Sequence, residues 1–349
     1  MDWTATTLTG EFHTSFPKVD LHRHLEGSLR PATIAEIIQT YRLPFPAEQV
    51  QALTQITVHD VFSPVNFLSK FQVLRQLYRS PEIIQRVTRE AIEDAAADQV
   101  RYLELRFTPA ALSRVHDYPL DEVMDWVCAS AQQAGQSTGL PVRLIASVNR
   151  HESVALAEKV LALAAERQSQ GLAGVDLAGN EAEFSAEPFL GVFQAARQAG
   201  LNVTLHAGEW GSAENIREAI EVFQADRIGH GVRVLESPAV SALAAERGIP
   251  FEVCLSSNIH SGIFPSRADH PFQRMLAAGI NASLHSDDPS ISGITLADEY
   301  LFALQDQKLT RSQLEQSVLS AAQAAFLPET EKQALLRRLR IELDLLEES

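Results

Sequence analysis

Residues 202–216, Asn202-Val203-Thr204-Leu205-His206-Ala207-Gly208-Glu209-Trp210-Gly211-Ser212-Ala213-Glu214-Asn215-Ile216, set a short β-rich run directly against a capped helix. The run ends on two ionisable residues, His206 and Glu209. Ser212 then offers a side-chain oxygen to the free amides of a first helical turn. Ile216, Ile220 and Phe223, at spacings of four and three, give that helix one apolar face. A strand followed at once by an amphipathic helix is a βα unit, and repeated units of this kind build a parallel sheet.

Working outward, strand-like runs recur at 19–22, 101–107, 142–148, 173–177, 202–206, 227–229, 251–254 and 282–285, which makes eight. Several of the segments between them begin at a proline and end at a glycine: Pro188 and Gly200, Pro238 and Gly248, Pro271 and Gly279. Proline suits the first turn of a helix and glycine its exit. Eight such units favour a closed (β/α)8 TIM barrel over an open doubly wound sheet. About 80 residues separate the first two runs, too many for a simple crossover. Helical patterns around 33–41, 65–78 and 81–97 therefore predict a helical insertion over about 31–98, expected to form a lid near the site. Helices over about 310–348, the last from 329, complete a single domain spanning 1–349.

Composition narrows the function classes. With 349 residues, 45% of them hydrophobic, the chain can bury a large core. A formal net charge of -16, with Lys and Arg scattered among acids, repels phosphate backbones and excludes a nucleic-acid polymer as partner. Residues 1–17 lack the basic start and apolar run of a secretory signal, and no apolar stretch reaches 18 residues. Cys128 and Cys254 are too few for a disulfide framework and fit a reducing compartment. The expectation is a cytoplasmic protein with no membrane partner. Oligomeric state cannot be read from these features.

In a barrel of this type the site lies at the carboxyl ends of the strands. Strand one ends in His22-Arg23-His24, whose histidines, two apart, share a face. Strand five ends in His206 to Glu209, strand six in Gly229-His230-Gly231, and strand eight in His285-Ser286-Asp287-Asp288-Pro289. A lone histidine is usually a hydrogen-bonded core residue, and Asp-Asp-Pro is usually a turn. Together they describe something else. Neutral nitrogens plus one carboxylate, with a position left open, suit a catalytic zinc ion, and His22, His24, His206 and Asp287 are assigned as its ligands. His13, His59, His116 and His151 have no strand-end partner and are read as surface residues. His285, two before Asp287, is read as packing around the ligands.

The blocks His22-Arg23-His24-Leu25-Glu26-Gly27, His206-Ala207-Gly208-Glu209, Ile228-Gly229-His230-Gly231 and Ser286-Asp287-Asp288-Pro289 resemble the adenosine/adenine deaminase family of the metal-dependent amidohydrolase superfamily, over about 17–300. The resemblance implies one zinc ion per chain, which lowers the pKa of water for attack at purine C6. It implies that Glu209 donates a proton to N1, that His230 orients the nucleophile, that Asp288 hydrogen-bonds N7 and that the Gly179 amide meets N3. His24 and Glu26 would also face the substrate. Asp288 follows a ligand on an extended strand end and so is expected to point away from it, toward the substrate. Phe62, Phe67 and Phe71 could cover the base, although helical spacing makes them ordinary core candidates.

Related two-metal barrels usually need a lysine at the end of strand four, where this chain has Asp176-Leu177-Ala178-Gly179. The base-flipping zinc deaminases carry Pro-Cys-x-x-Cys, which is absent. A non-catalytic nucleoside-binding protein is the reading from another class. For the substrate, a small-molecule purine nucleoside or base, the features divide. Glu26, where adenosine enzymes usually carry Asp, and Ser286 look like the branches acting on adenine or aminodeoxyfutalosine. Gly229 and the 206–220 stretch look like the adenosine branch, and Asn180 stands where that branch often carries Asp. Adenosine, and with it deoxyadenosine, is the favoured reading.

Overall fold

Eight parallel strands lie side by side in chain order: β1 (Lys18–His24), β2 (Val100–Phe107), β3 (Val142–Asn149), β4 (Leu172–Ala178), β5 (Asn202–Ala207), β6 (Arg227–His230), β7 (Phe251–Val253) and β8 (Ala282–Leu284). The computed structural model describes residue 12 and residues 14–347. His13 and residue 348, the expected end of the last helix, thus lie outside the described residues. The barrel is closed by a parallel bridge between Arg23 and Asp287. There the His24 amide donates to the Asp287 carbonyl at 2.8 Å and the Asp287 amide to the His22 carbonyl at 2.7 Å. The chain is a (β/α)8 barrel, as expected.

The helices follow the local signals. Ser212 caps Ala213–Glu221 in a capping box with Asn215. Pro238–Arg247 starts at its proline and ends at Gly248 in the left-handed conformation. Between β1 and β2 stand helices Pro31–Thr40, Pro64–Leu74 and Pro81–Ala97, the last two capped by Ser63 and Ser80. Helices Arg311–Ala324 and Glu329–Glu347 follow β8. One continuous apolar core joins strands and helices, with Leu21, Leu105, Val175, Leu205 and Phe251 at most 1% exposed. Each such side chain contributes about 1.5–3 kcal/mol of transfer free energy.

Two local expectations need correction. The seventh strand stops at Val253, because Cys254 already caps the short helix Leu255–His260. The eighth stops at Leu284, so Asp287 is not on an extended strand. Its φ is +58°, a left-handed conformation rare for a residue with a side chain.

The barrel interior is ionic where an aliphatic filling is commoner. Arg106 of β2 and Arg227 of β6 are fully buried. Arg106 donates to Glu252 of β7 at 2.7 Å, and Arg227 donates to Glu252 at 2.5 Å and to Glu104. Tyr102 donates to Glu104 at 2.8 Å. Burial alone would raise the pKa of Glu252, but Arg106 and Arg227 hold it well below the ordinary carboxylate range. No helix among the described residues is long and apolar enough to cross a membrane. Cys128 and Cys254 are free and buried.

Candidate active site

Strand ends bring His22, His24, His206 and Asp287 together, with one potential ligand atom of each lying within 4.8 Å of all the others. His24 Nε2 is 3.3 Å from His206 Nε2. Asp287 Oδ1 is 3.3 Å from His22 Nε2 and 3.4 Å from His24 Nε2. A tetrahedral ion with ligands at about 2.05 Å places its ligand atoms about 3.3 Å apart, so the spacing fits a zinc-sized cation. The outer ring nitrogens agree. His22 Nδ1–H donates to Glu252 at 2.7 Å and His206 Nδ1–H to Asp176 at 3.0 Å, so both Nε2 lone pairs face inward. His22 Nε2 is buried with no hydrogen-bond partner among the described residues, a cost that a cation removes. The cluster is built for a metal cofactor.

Around it a pocket is lined by His24, Glu26, Gly179, His206, Glu209, His230, Asp287 and Asp288, with Phe67, Leu68, Phe71 and Arg75 from the insertion. The expected site residues therefore meet in one place, with fully buried His22 joined to them through its cluster with His24, His206 and Asp287. Glu209 is buried, and its Oε1 accepts a hydrogen bond from Asn258 Nδ2 at 3.1 Å. Burial, with Asp287 and then Glu181 adding negative charge, raises its pKa well above the ordinary glutamate value. Its Oε2 stands 3.6 Å from His230 Nε2. That nitrogen is also 3.8 Å from Asp287 Oδ2, and burial holds His230 neutral.

Asp288 is raised well above its ordinary value by burial and by neighbouring Asp287, and its Oδ1 has no hydrogen-bond partner among the described residues. It faces the pocket together with Asp287, so the strand-alternation argument for separating them does not apply. Gly27 packs against it: a Cβ there would come 1.8 Å from Asp288 Oδ1. Glu26 Oε1 accepts the Thr108 amide at 2.7 Å, and burial raises its pKa. Gly179, at φ +92°, lies in the left-handed region that favours glycine, at the exit of β4.

The remaining candidates divide between pocket, packing and surface. Phe67 and Phe71 line the pocket instead of belonging only to the core, whereas Phe62 lies 38% exposed against the His260 ring. His285 faces away from the cluster, accepting the Leu21 amide at 2.9 Å. Ser286 donates to buried Asp20 at 2.6 Å, so it is a packing residue. His59 and His116 are exposed, as is His151, which borders the outer part of the cleft.

Three supporting residues escaped the sequence reading. Glu181 accepts the backbone amides of Gly208, Glu209 and Trp210 at 2.9, 2.5 and 2.8 Å and so fixes the loop carrying Glu209. Asn258, held by His270 Nε2 at 3.1 Å, joins Glu209 to His230. Glu252 orients His22. The alternating Tyr102-Glu104-Arg106 pattern on a buried strand is the signal that could have announced the ionic interior.

Comparison with known proteins agrees with this geometry. A sequence model of the adenosine deaminase family matches residues 17–341. An adenosine deaminase of Klebsiella pneumoniae (strain 342) is 36% identical over 329 residues, covering 93% of this chain and 98% of that protein. Among solved structures, an amidohydrolase of Burkholderia ambifaria with bound zinc is 26% identical with a TM-score of 0.90, covering 100% of this chain and 95% of that one. An adenine deaminase of Arthrobacter aurescens is 26% identical with a TM-score of 0.86, covering 95% and 99%. On these grounds the chain belongs to the adenosine deaminase family.

Proposed function

We propose that this protein catalyses the zinc-dependent hydrolytic deamination of adenosine and deoxyadenosine, giving inosine or deoxyinosine and ammonia, as one cytoplasmic barrel domain. His22, His24, His206 and Asp287 hold one zinc ion per chain. Bound there, zinc supplies the Lewis acidity that makes water a nucleophile at neutral pH. Every other step belongs to the protein.

Asn258 occupies one oxygen of Glu209, which leaves Oε2 as the proton-bearing atom toward the pocket. Raised by burial, Glu209 keeps that proton until purine N1 becomes basic as oxygen adds at C6, and then gives it up. His230, neutral and beside Asp287, takes the proton released by the attacking water and passes it to the 6-amino group. That group leaves as ammonia while the remaining proton of the added oxygen returns to Glu209. Asp288, protonated in its buried position, donates to N7, an acceptor. The Gly179 amide meets N3, and His24 and Glu26 face the sugar side. Phe67 and Phe71 exclude water from the base.

The observation that carries this reading is the convergence of three ring nitrogens and one carboxylate oxygen beside a carboxylic acid kept neutral by burial. A nucleoside is favoured over free adenine because the base pocket opens into a further chamber of about 720 Å³. The test is an absorbance and ammonia-release assay of zinc-loaded protein on adenosine, adenine and aminodeoxyfutalosine. No ammonia from any of the three sinks the proposal.

A further inference from the structure

The strand alternation that turns His22 and His24 into the barrel turns Arg23, between them, outward. On that side, against the insertion and the chain that follows β8, lies a separate cavity of about 520 Å³. Its volume is within the range of about 300–1,000 Å³ typical of small-molecule sites. It shares no lining residue with the base pocket.

Arg23 is only 5% exposed, yet most of its donors are idle. Nε donates to Ser28 Oγ at 3.2 Å, and Ser28 in turn donates to the His24 carbonyl at 2.6 Å. Neither terminal nitrogen makes a hydrogen bond or an ion pair with a described residue, and neither is sealed from the cavity that Arg23 lines. A guanidinium carries five N–H donors, and an apolar side chain would be buried here without their desolvation cost. The acids on the cavity wall have other partners. Asp94 grips Arg30 at 2.7 and 2.9 Å. Asp98 lies 3.6 Å from Lys18 and accepts the Ala297 amide at 3.2 Å, so Arg23 reaches it only as a longer-range charge. Asp298 accepts the Thr295 amide at 2.8 Å in a helix cap.

The cavity therefore presents one open guanidinium and an acidic wall. Free N–H groups on a planar guanidinium pair with the two oxygens of a carboxylate. A phosphate dianion would bring its second charge against three aspartates, and like charges brought together are costly. A carboxylate joined to a cationic amine satisfies both sides. We propose that this cavity is a binding site for a small zwitterion, with its carboxylate on Arg23 and its amine toward Asp94. The proposal is independent of the deaminase reading, because none of these residues lines the base pocket.

The test is calorimetric titration of the zinc-loaded full chain with γ-aminobutyrate, butyrate, butylamine and inorganic phosphate. The first three share one chain length and differ only in their charged ends; glycine, β-alanine and ε-aminohexanoate vary the spacing between the ends. At least one zwitterion is expected to bind, one per chain, about tenfold or more tighter than butyrate, butylamine and phosphate. Arg23→Met should weaken that zwitterion by about 10- to 100-fold, the usual effect of losing a charged hydrogen bond. Arg23→Lys, which keeps the charge without the paired geometry, should weaken it less. Asp94→Asn, at a partly exposed position, should remove the preference for the zwitterion over butyrate and leave butyrate binding unchanged, and it remains a test if the Arg23 variants do not fold. Failure of every zwitterion to bind, tighter binding of phosphate, or binding that disappears when a chelator removes the zinc overturns the inference. So does an affinity that moves less than threefold in Arg23→Met, or an unchanged preference in Asp94→Asn.

Discussion

Replacing Glu252 by glutamine separates two roles that one carboxylate performs. In the barrel interior Glu252 balances Arg106 and Arg227, and at the site it accepts the Nδ1 proton of His22 at 2.7 Å. Loss of its charge leaves two fully buried guanidiniums sharing the remaining acids, and breaking a buried pair costs about 3–5 kcal/mol. That is a large part of a typical total of about 5–15 kcal/mol. Independently, loss of a carboxylate that orients a ligand histidine lowers metal affinity by about 10- to 100-fold. Each tenfold loss removes about 1.4 kcal/mol of the stabilisation that saturating metal provides. Glu252→Gln should therefore be destabilised without metal, and by a further 1.4–2.8 kcal/mol or so with it. Denaturant unfolding in chelator and in saturating zinc, with chelator competition for Kd, measures both. Glu104→Gln is the control, because Glu104 pairs with Arg227 and touches none of the four clustered ligands. If Glu252→Gln binds zinc within threefold of wild type, or if Glu104→Gln loses as much affinity, the orienting argument is wrong. The acid limb has a definite sign: the pKa of Glu252 is depressed on folding, so its stabilisation is present above about pH 4.5 and is lost as pH falls through its lower folded value.

Glu209→Gln should lower kcat by about 10²- to 10⁴-fold while metal content stays at one equivalent, and retention of a tenth of wild-type turnover would refute the proton-donor role. Because Glu209 must be protonated and its pKa is raised, kcat/KM of the wild type should fall on the alkaline side as pH rises through that value. Removing its hydrogen bond in Asn258→Ala should move this limb to higher pH, read from a full pH profile. His230→Ala should lose turnover yet retain its metal by elemental analysis; metal loss would make His230 a ligand instead. Gly27→Ala forces a methyl to within 1.8 Å of Asp288 Oδ1, so KM should rise at least tenfold with little change in metal content. An unchanged KM would remove Asp288 from base recognition.

Reading the chain in order reveals the architecture because its signals are local. Each of the eight strands carries its own apolar run, and each is followed by helix punctuation within a few residues. The ends fail where local pattern and backbone part company. Cys254 continues an apolar run but begins a helix, and Asp287 follows a strand in a left-handed conformation that no spacing rule anticipates. Phe67 and Phe71 show a related limit: helical periodicity identifies the buried face of Pro64–Leu74 without saying whether that face meets core or substrate.

The residue types proposed as ligands, and their places at or just past strand ends, were legible in the sequence alone, since a histidine pair two apart on a strand shares a face whatever surrounds it. What held them in place was decided only by the tertiary structure. Glu252 lies 230 positions from His22, and Asp176 lies 30 from His206 on a different strand. Which side chains share a layer inside a barrel depends on strand stagger around the closed sheet, a property of all eight strands together. The same holds for Arg75, which joins the pocket lining, its Nε buried without a hydrogen-bond partner among the described residues, only when the insertion packs over the strand ends. Sequence periodicity tells each element which face is buried; closure of the barrel chooses the neighbour that face will meet.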